Sequence, residues 1–284
     1  MNDPDDAHDR NLNGSAGPGG PDLGANPDAA WRDWLASAPG QYLLNWEREQ
    51  MARAVANVFG YYAVQLGMPE LDTLEASRIP RRIHVAIGTD PMPEGGWQPD
   101  LRVGGLAELP FDSHSIDLVV LPHRLEFCAD SHAVLREVDR VLRPDGHLVV
   151  LGMNPWSLWG LRQLLPGWLL RDFVPQPAPW ISVAQLRDWI RLLSFEPGDT
   201  RYGCYAWPLR HEEWLLRSSR LLEKAGDRWW PVCGAVYLVP AVKQVCGMRL
   251  VGPAWRTVRL ENGAVVTTVA GQRSTHDRAA TNAG

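Results

Sequence analysis

Lysine is nearly absent from this 284-residue chain: of its 28 basic residues only Lys224 and Lys243 are lysines. No lysine-rich stripe is available to follow a phosphate backbone. With a net charge of -5 and a pI of about 5.9, nucleic acid is not expected as a partner. Cysteine is scarce as well. Cys128, Cys204, Cys233 and Cys246 form no C-x-x-C pair and lie near no histidine cluster, so neither a metal centre nor a disulfide framework is expected. No apolar run reaches the about 18 residues that a membrane-spanning helix needs. Residues 1–22 lack both the basic stretch and the apolar stretch of a secretory signal. The expectation is a cytoplasmic protein without a transmembrane segment. Also missing is G-x-G-x-x-G after a first strand, which removes a nicotinamide-dependent dehydrogenase from consideration.

What the chain does have is apolar material for one sizeable core. At 45% hydrophobic and 21% charged residues it has the balance of a globular domain rather than of a disordered or fibrous chain. Residues 1–28 are rich in Gly, Pro, Asp and Asn and cannot bury enough surface to offset the entropy of ordering. They read as a disordered tail. Residues 251–284 read as a second, mostly disordered tail with at most one strand-like run, at 264–269, which leaves a domain over 29–250. Tryptophan is unusually frequent, 14 in all. Trp156, Trp159, Trp168, Trp180 and Trp189 cluster in or beside residues 154–180, a composition that suits a deep aromatic core or a partly exposed apolar lid.

Between the tails, short β-rich runs alternate with amphipathic helices, the signature of a parallel sheet covered on both faces. Leu44, Met51, Val55 and Val58 recur at helical spacing, and strand-like runs follow at 61–66 and 83–87, closed by Gly67 and Gly88. The clearest unit spans 109–155. Residues 116–121 form a continuous apolar run typical of a strand buried on both faces, and Asp130 or Ser131 offers a helix cap. Val134, Leu135, Val138, Val141 and Leu142 then share one helical face. Pro144 is expected to stop the helix, Asp145-Gly146 to turn the chain, and 147–151 to form the next strand, a right-handed crossover between parallel neighbours. Downstream, Ser182 and Gln185 stand at capping-box spacing before a helix carrying Val183, Leu186, Ile190 and Leu193. A further helix is expected over 211–225, and strands over 199–206 and 234–242.

At residues 104–150 the pattern becomes specific. GGLAELPFDSHSIDLVVLPHRLEFCADSHAVLREVDRVLRPDGHLVV is similar to the second half of the class I S-adenosylmethionine-dependent methyltransferase domain of type 11. It has LPF before the acidic turn, Ile116-Asp117-Leu118-Val119-Val120 as the fourth strand, and LREVDRVLRPDG as helix and turn. The resemblance runs over 59–152 and more loosely to about 250. It implies an α/β fold with a doubly wound, mostly parallel, Rossmann-like sheet, S-adenosylmethionine as cofactor, and methyl transfer to an acceptor left open.

In that family the first strand ends in an acid and a Gly-x-Gly-x-Gly loop, whose bare backbone approaches the cofactor. This chain has Gln65 in place of the acid and only the first glycine, Gly67. The resemblance makes Asp90 the candidate acceptor for the ribose hydroxyls, while Pro and Gly in PMPEGGWQP replace the next expected helix. Gly105 stands where the family has an adenine-reading Asp. Leu106, Leu121 and His123 complete the candidate cofactor contacts.

Each candidate also has a plainer reading. Gly67, Gly104 and Gly105 serve tight turns as well as ligands, and Asp90 serves a solvated loop. His123 could act as a base on an oxygen or nitrogen nucleophile or simply be hydrogen-bonded in a loop. Arg124 and Glu126 could pair with one another or with water. Residues 154–180 could cover a substrate, touch a partner or a membrane surface, or pack in the core. Two functional expectations follow: a methyltransferase, and a methyltransferase-like scaffold that has lost its cofactor and works as an interaction protein.

Overall fold

The largely apolar run Ile116–Pro122, IDLVVLP, builds the central strand β4, and its neighbours bury it on both faces. The computed structural model describes residues 27–88, 96–163, 173–175, 180–207, 230–244, 256–259 and 265–268. They fall into two units, 1–245 and 246–284.

In the first unit two helices, α1 (Pro27–Leu35) and α2 (Ala38–Val55), precede β1 (Tyr62–Leu66), β2 (Arg81–Ile87) and β3 (Leu101–Val103). After β4 come α3 (Ser131–Val141), β5 (Leu142–Met153), α4 (Leu158–Gln163), α5 (Val183–Leu192), β6 (Phe195–Pro197), β7 (Arg201–Gly203) and β8 (Val236–Lys243). The sheet runs β3-β2-β1-β4-β5-β8-β6, with β7 also on β8. Its first five strands are parallel, and β8 lies antiparallel to β5, β6 and β7. This is the expected doubly wound, mostly parallel architecture.

Alternation along the strands divides the core between the two faces. Ala63, Leu118, Val120, Val149 and Leu151 pack with Trp31, Trp34, Leu43, Leu44 and Met51 of α1 and α2. Val64, Leu66, Val119, Leu121, Leu148 and Val150 pack with Val134, Leu135 and Val138 of α3 and with Leu186 and Ile190 of α5. Each such fully buried side chain contributes about 1.5–3 kcal/mol. Val138→Ala would therefore loosen α3 without unfolding it.

The caps form as the sequence predicts. Asp130 accepts from Ala133 N at 2.9 Å, which holds its carboxyl below the usual carboxylate range, and Ser182 Oγ accepts from Gln185 N at 3.3 Å. Other expectations change. The segment 142–146 is a bulge rather than a separate turn: Ile116 pairs with Leu142 and Leu118 already with His147, and Asp145 adopts a φ of 61°. Helix α1 starts at Pro27, at the edge of the stretch 1–28 read as a tail; residues 1–26 lie outside the described residues. The expected strand over 199–206 is reduced to β7, and β6 is an additional strand. The expected helix over 211–225 lies outside the described residues.

The second unit holds an antiparallel pair, β9 (Arg256–Arg259) and β10 (Val265–Thr268), one strand more than the sequence suggests. Among the described residues no helix is long and apolar enough to cross a membrane.

Candidate active site

The chain leaves β1 for β2 and β3 on one side and returns to β4 on the other, so the order reverses between β1 and β4. In open α/β sheets ligands settle at the carboxyl ends of the strands flanking such a point.

On the β1 side the loop is drawn inward. Residues 67–80 form turns only, without helix or strand. Gln65 is fully buried; its Nε2 donates to the carbonyls of Gly67, Met68 and Leu71 at 3.1, 3.2 and 2.7 Å. Its Oε1 accepts from Thr73 N at 2.8 Å and from Thr73 Oγ1 at 2.7 Å. A carboxylate could not donate to those carbonyls, which explains why an amide stands where the family has an acid. Trp97 Nε1 donates to the same Met68 and Leu71 carbonyls, both at 3.2 Å. Gly67 N donates to Val85 O at 2.7 Å, and Met68 and Leu71 are buried. The amide of Gln65, expected as a cofactor contact, is engaged within the protein.

Gly67, at a φ of 74°, lies under the side chain of Arg124. A methyl group placed there would lie 2.1 Å from Arg124 Nε and 2.8 Å from its Cζ. The bare glycine face is thus used, but by a guanidinium.

His123 follows β4 in the left-handed region, φ 53°, and caps a 3-10 turn over Arg124–Glu126. It is fully buried, with Nε2 at 2.5 Å from Glu47 Oε1 and Nδ1 at 3.2 Å from Glu126 Oε2. Burial alone would depress the imidazolium. The charges and hydrogen bonds of Glu47 and Glu126 outweigh that and raise its pKa to about 10. With His123 so held as a cation, both ring nitrogens donate, and the base expected there has no free lone pair. Glu126 Oε1 also accepts from Met153 N, and the Trp31 ring centroid lies 5.1 Å from that of His123. The expected pairing of Glu126 with Arg124 or water is thereby replaced. Sequence reasoning missed Glu47, although a signal existed: it shares the buried face of α2 with Leu43, Leu44 and Met51.

On the β2 and β3 side the edge is open among the described residues. Methyl groups placed at Gly88, Gly104 or Gly105 meet nothing within 4 Å among the described residues. Leu106 and Leu121 are both buried in the core beside Leu66 and Val85. Leu121, expected as a ligand contact, is fully buried within β4. Asp90 lies outside the described residues.

The tryptophans divide. Trp159 is buried, donates from Nε1 to Ala206 O at 2.8 Å and packs against Phe173 and Trp34, whereas Trp156 is 78% exposed. Trp168 lies outside the described residues. Among the described residues no cluster of His, Cys, Asp and Glu could hold a metal ion.

As for S-adenosylmethionine, the glycine edge at β2 and β3 leaves room for a nucleoside among the described residues, while the face of Gly67 is covered by Arg124.

The family described as a methyltransferase domain matches residues 81–150, from β2 into β5, leaving out the altered β1 loop. The uncharacterized protein YafS of Escherichia coli K12 is 46% identical over 88 residues, 31% of this chain and 36% of that protein. The demethylmenaquinone methyltransferase of Bacillus velezensis is 36% identical over 80 residues, 28% of this chain and 34% of that protein. The match thus spans about a third of the length of these curated relatives. A chain in a Haloferax volcanii complex containing the Trm112 methyltransferase activator superposes with a TM-score of 0.51 at 18% identity, covering 78% of this chain and 99% of that one. The chain has the class I S-adenosylmethionine-dependent methyltransferase fold and, over residues 81–150, resembles that superfamily in sequence.

Proposed function

We propose that the chain is an S-adenosylmethionine-dependent methyltransferase, with the nucleoside along the tips of β2 and β3 and the amino-acid end toward β1 and β4. The observation that carries this reading is the open glycine edge at Gly88, Gly104 and Gly105, in a chain whose β2-to-β5 segment matches a methyltransferase domain. Asp90 is proposed to accept from the ribose and Gly105 to border the base, with Leu106 packed in the core behind it.

The cofactor would supply an electrophilic methyl group on a sulfonium. The protein's part is positioning, which is enough for much of the rate in such transfers. With both nitrogens of His123 donating to carboxylates, the acceptor has to bring a nucleophile that ionises, or is already neutral and basic, without help from that side chain. Calorimetric titration and thermal shift with S-adenosylmethionine and S-adenosylhomocysteine test the proposal. Saturable heat and a rising Tm are expected; no heat and no shift at millimolar ligand would refute it.

A second reading, an interaction scaffold, is favoured by the exposure of Trp156. Trp156→Ala is its clean probe, since Trp159→Ala would remove a buried core side chain. Retained partner capture by Trp156→Ala would dismiss this reading.

A further inference from the structure

We infer that Arg124 takes the place of the glycine-rich loop as the anchor for the cofactor's amino-acid carboxylate; the assignment rests on the methyltransferase reading above. In the parent arrangement, backbone amides of the β1 loop face the ligand. Here two of those amides are committed. Gly67 N is committed to Val85 O, and Thr73 N to Gln65 Oε1. The Gly67, Met68 and Leu71 carbonyls are turned to Gln65, and two of them also to Trp97. Opening the loop into an amide cradle would break these bonds together, each net favourable and all largely shielded from water.

What stands at the reversal between β1 and β4 instead is a guanidinium. Its Nε and Cζ lie over the bare face of Gly67, at a backbone conformation (φ 74°) that already favours glycine. The base of the side chain is held firmly. His123 N donates to Leu151 O at 3.0 Å, the His123 ring is gripped from α2 and from Glu126, and Arg124 Cζ stands 5.6 Å from the Phe127 ring centroid. A guanidinium fixed in this way offers its N–H donors best to an anionic ligand group. Of the charged groups on S-adenosylmethionine only the carboxylate is negative, since the sulfonium and ammonium would both be repelled. The planar fork matches a carboxylate through two parallel hydrogen bonds. Five N–H donors allow it to take up a ligand while keeping other hydrogen bonds.

The experiment compares two probes on the full chain: S-adenosylhomocysteine, and 5'-methylthioadenosine, which keeps the nucleoside and thioether but lacks the amino acid. The wild type is expected to prefer S-adenosylhomocysteine by about tenfold or more, the scale of a charge-assisted pair. Arg124→Ala and Arg124→Gln should erase that preference by weakening S-adenosylhomocysteine alone, with methylthioadenosine affinity changed by less than about twofold. Gly67→Ala, which displaces the guanidinium without removing it, should do the same. Melting curves establish that each variant is folded, and Gln serves where Ala does not fold. Equal affinity of the wild type for both probes, or an equal loss of both in Arg124→Ala and Arg124→Gln, overturns the role of Arg124 and leaves the methyltransferase reading standing. Absence of binding of either probe to the wild type overturns that reading and this inference with it.

Discussion

The tips of β1 and β4 and the tips of β2 and β3 border one edge of one sheet, yet they are built in opposite ways. At β1 and β4 the described contacts turn inward: Gln65 ties up its own loop, Gly67 lies under Arg124, and His123 is held between Glu47 and Glu126. At β2 and β3 three glycines face open space among the described residues. The lesson is that erosion of a glycine motif need not leave a gap. Here a neutral amide and a guanidinium fill it, and the fold is unchanged because β1 still pairs with β2 and β4 in parallel register.

If the closed side is a structural unit, breaking it should cost folding stability heavily. Glu47→Ala removes the carboxylate 2.5 Å from His123 Nε2 and opens a cavity, leaving the imidazolium paired with Glu126 alone, and a loss of roughly 2–4 kcal/mol in urea unfolding is expected. A loss below about 1 kcal/mol, the range of exposed pairs, would show that the clamp is not what holds α2 to β4.

Comparable in size is Gln65→Glu. The new carboxylate would face three carbonyls at distances where the amide now donates. A cost of roughly 2–4 kcal/mol at neutral pH is expected, relieved in acid as the carboxyl regains a proton. Stability that matches wild type at pH 7 would mean that the loop can do without this amide.

The third test uses pH. His123 is raised from 6.5 to about 10 in the folded chain, so its proton stabilises the fold fully below 6.5, and that contribution is lost as pH rises through 10. The facing titratable groups are Glu47 from α2 and Glu126 from the turn, with the buried Tyr237 of β8 close enough to Glu126 to feel its charge. The stability difference between wild type and His123→Gln should shrink across that window. A constant offset would remove the clamped cation from the account.

These three tests all fall where the sequence was hardest to read. The crossover from β4 through α3 to β5 was legible, because an unbroken apolar run and a 3.6-residue stripe each have one reading, and Asp130 and Ser182 announce their helices. The clamp was not. Glu47 sits 76 residues from His123, and its place on an apolar helix face has no visible meaning until its partner is known. Gln65 looked like a lost acid because its partners are backbone carbonyls, which leave no trace in residue identity. Pro144-Asp145-Gly146 has the chemistry of a turn, and only strand pairing shows that it is a bulge inside β5. Arg124 was read as solvated or paired, since nothing in the sequence brings it to Gly67.

The open side invites the smallest perturbation. Gly105→Ala adds a methyl group that meets nothing within 4 Å among the described residues, and the residue is exposed. Stability should therefore change by no more than about 0.5 kcal/mol, as for other surface substitutions. If the nucleoside lies against this edge, the same methyl group occupies ligand space, so affinity for both S-adenosylhomocysteine and methylthioadenosine should fall together. That pattern is the converse of the one expected for Arg124, where only the ligand bearing a carboxylate is lost. Unchanged affinity for both in Gly105→Ala would move the nucleoside away from β3, while loss of S-adenosylhomocysteine alone would put the carboxylate on the open side and reverse the assignment of the two halves.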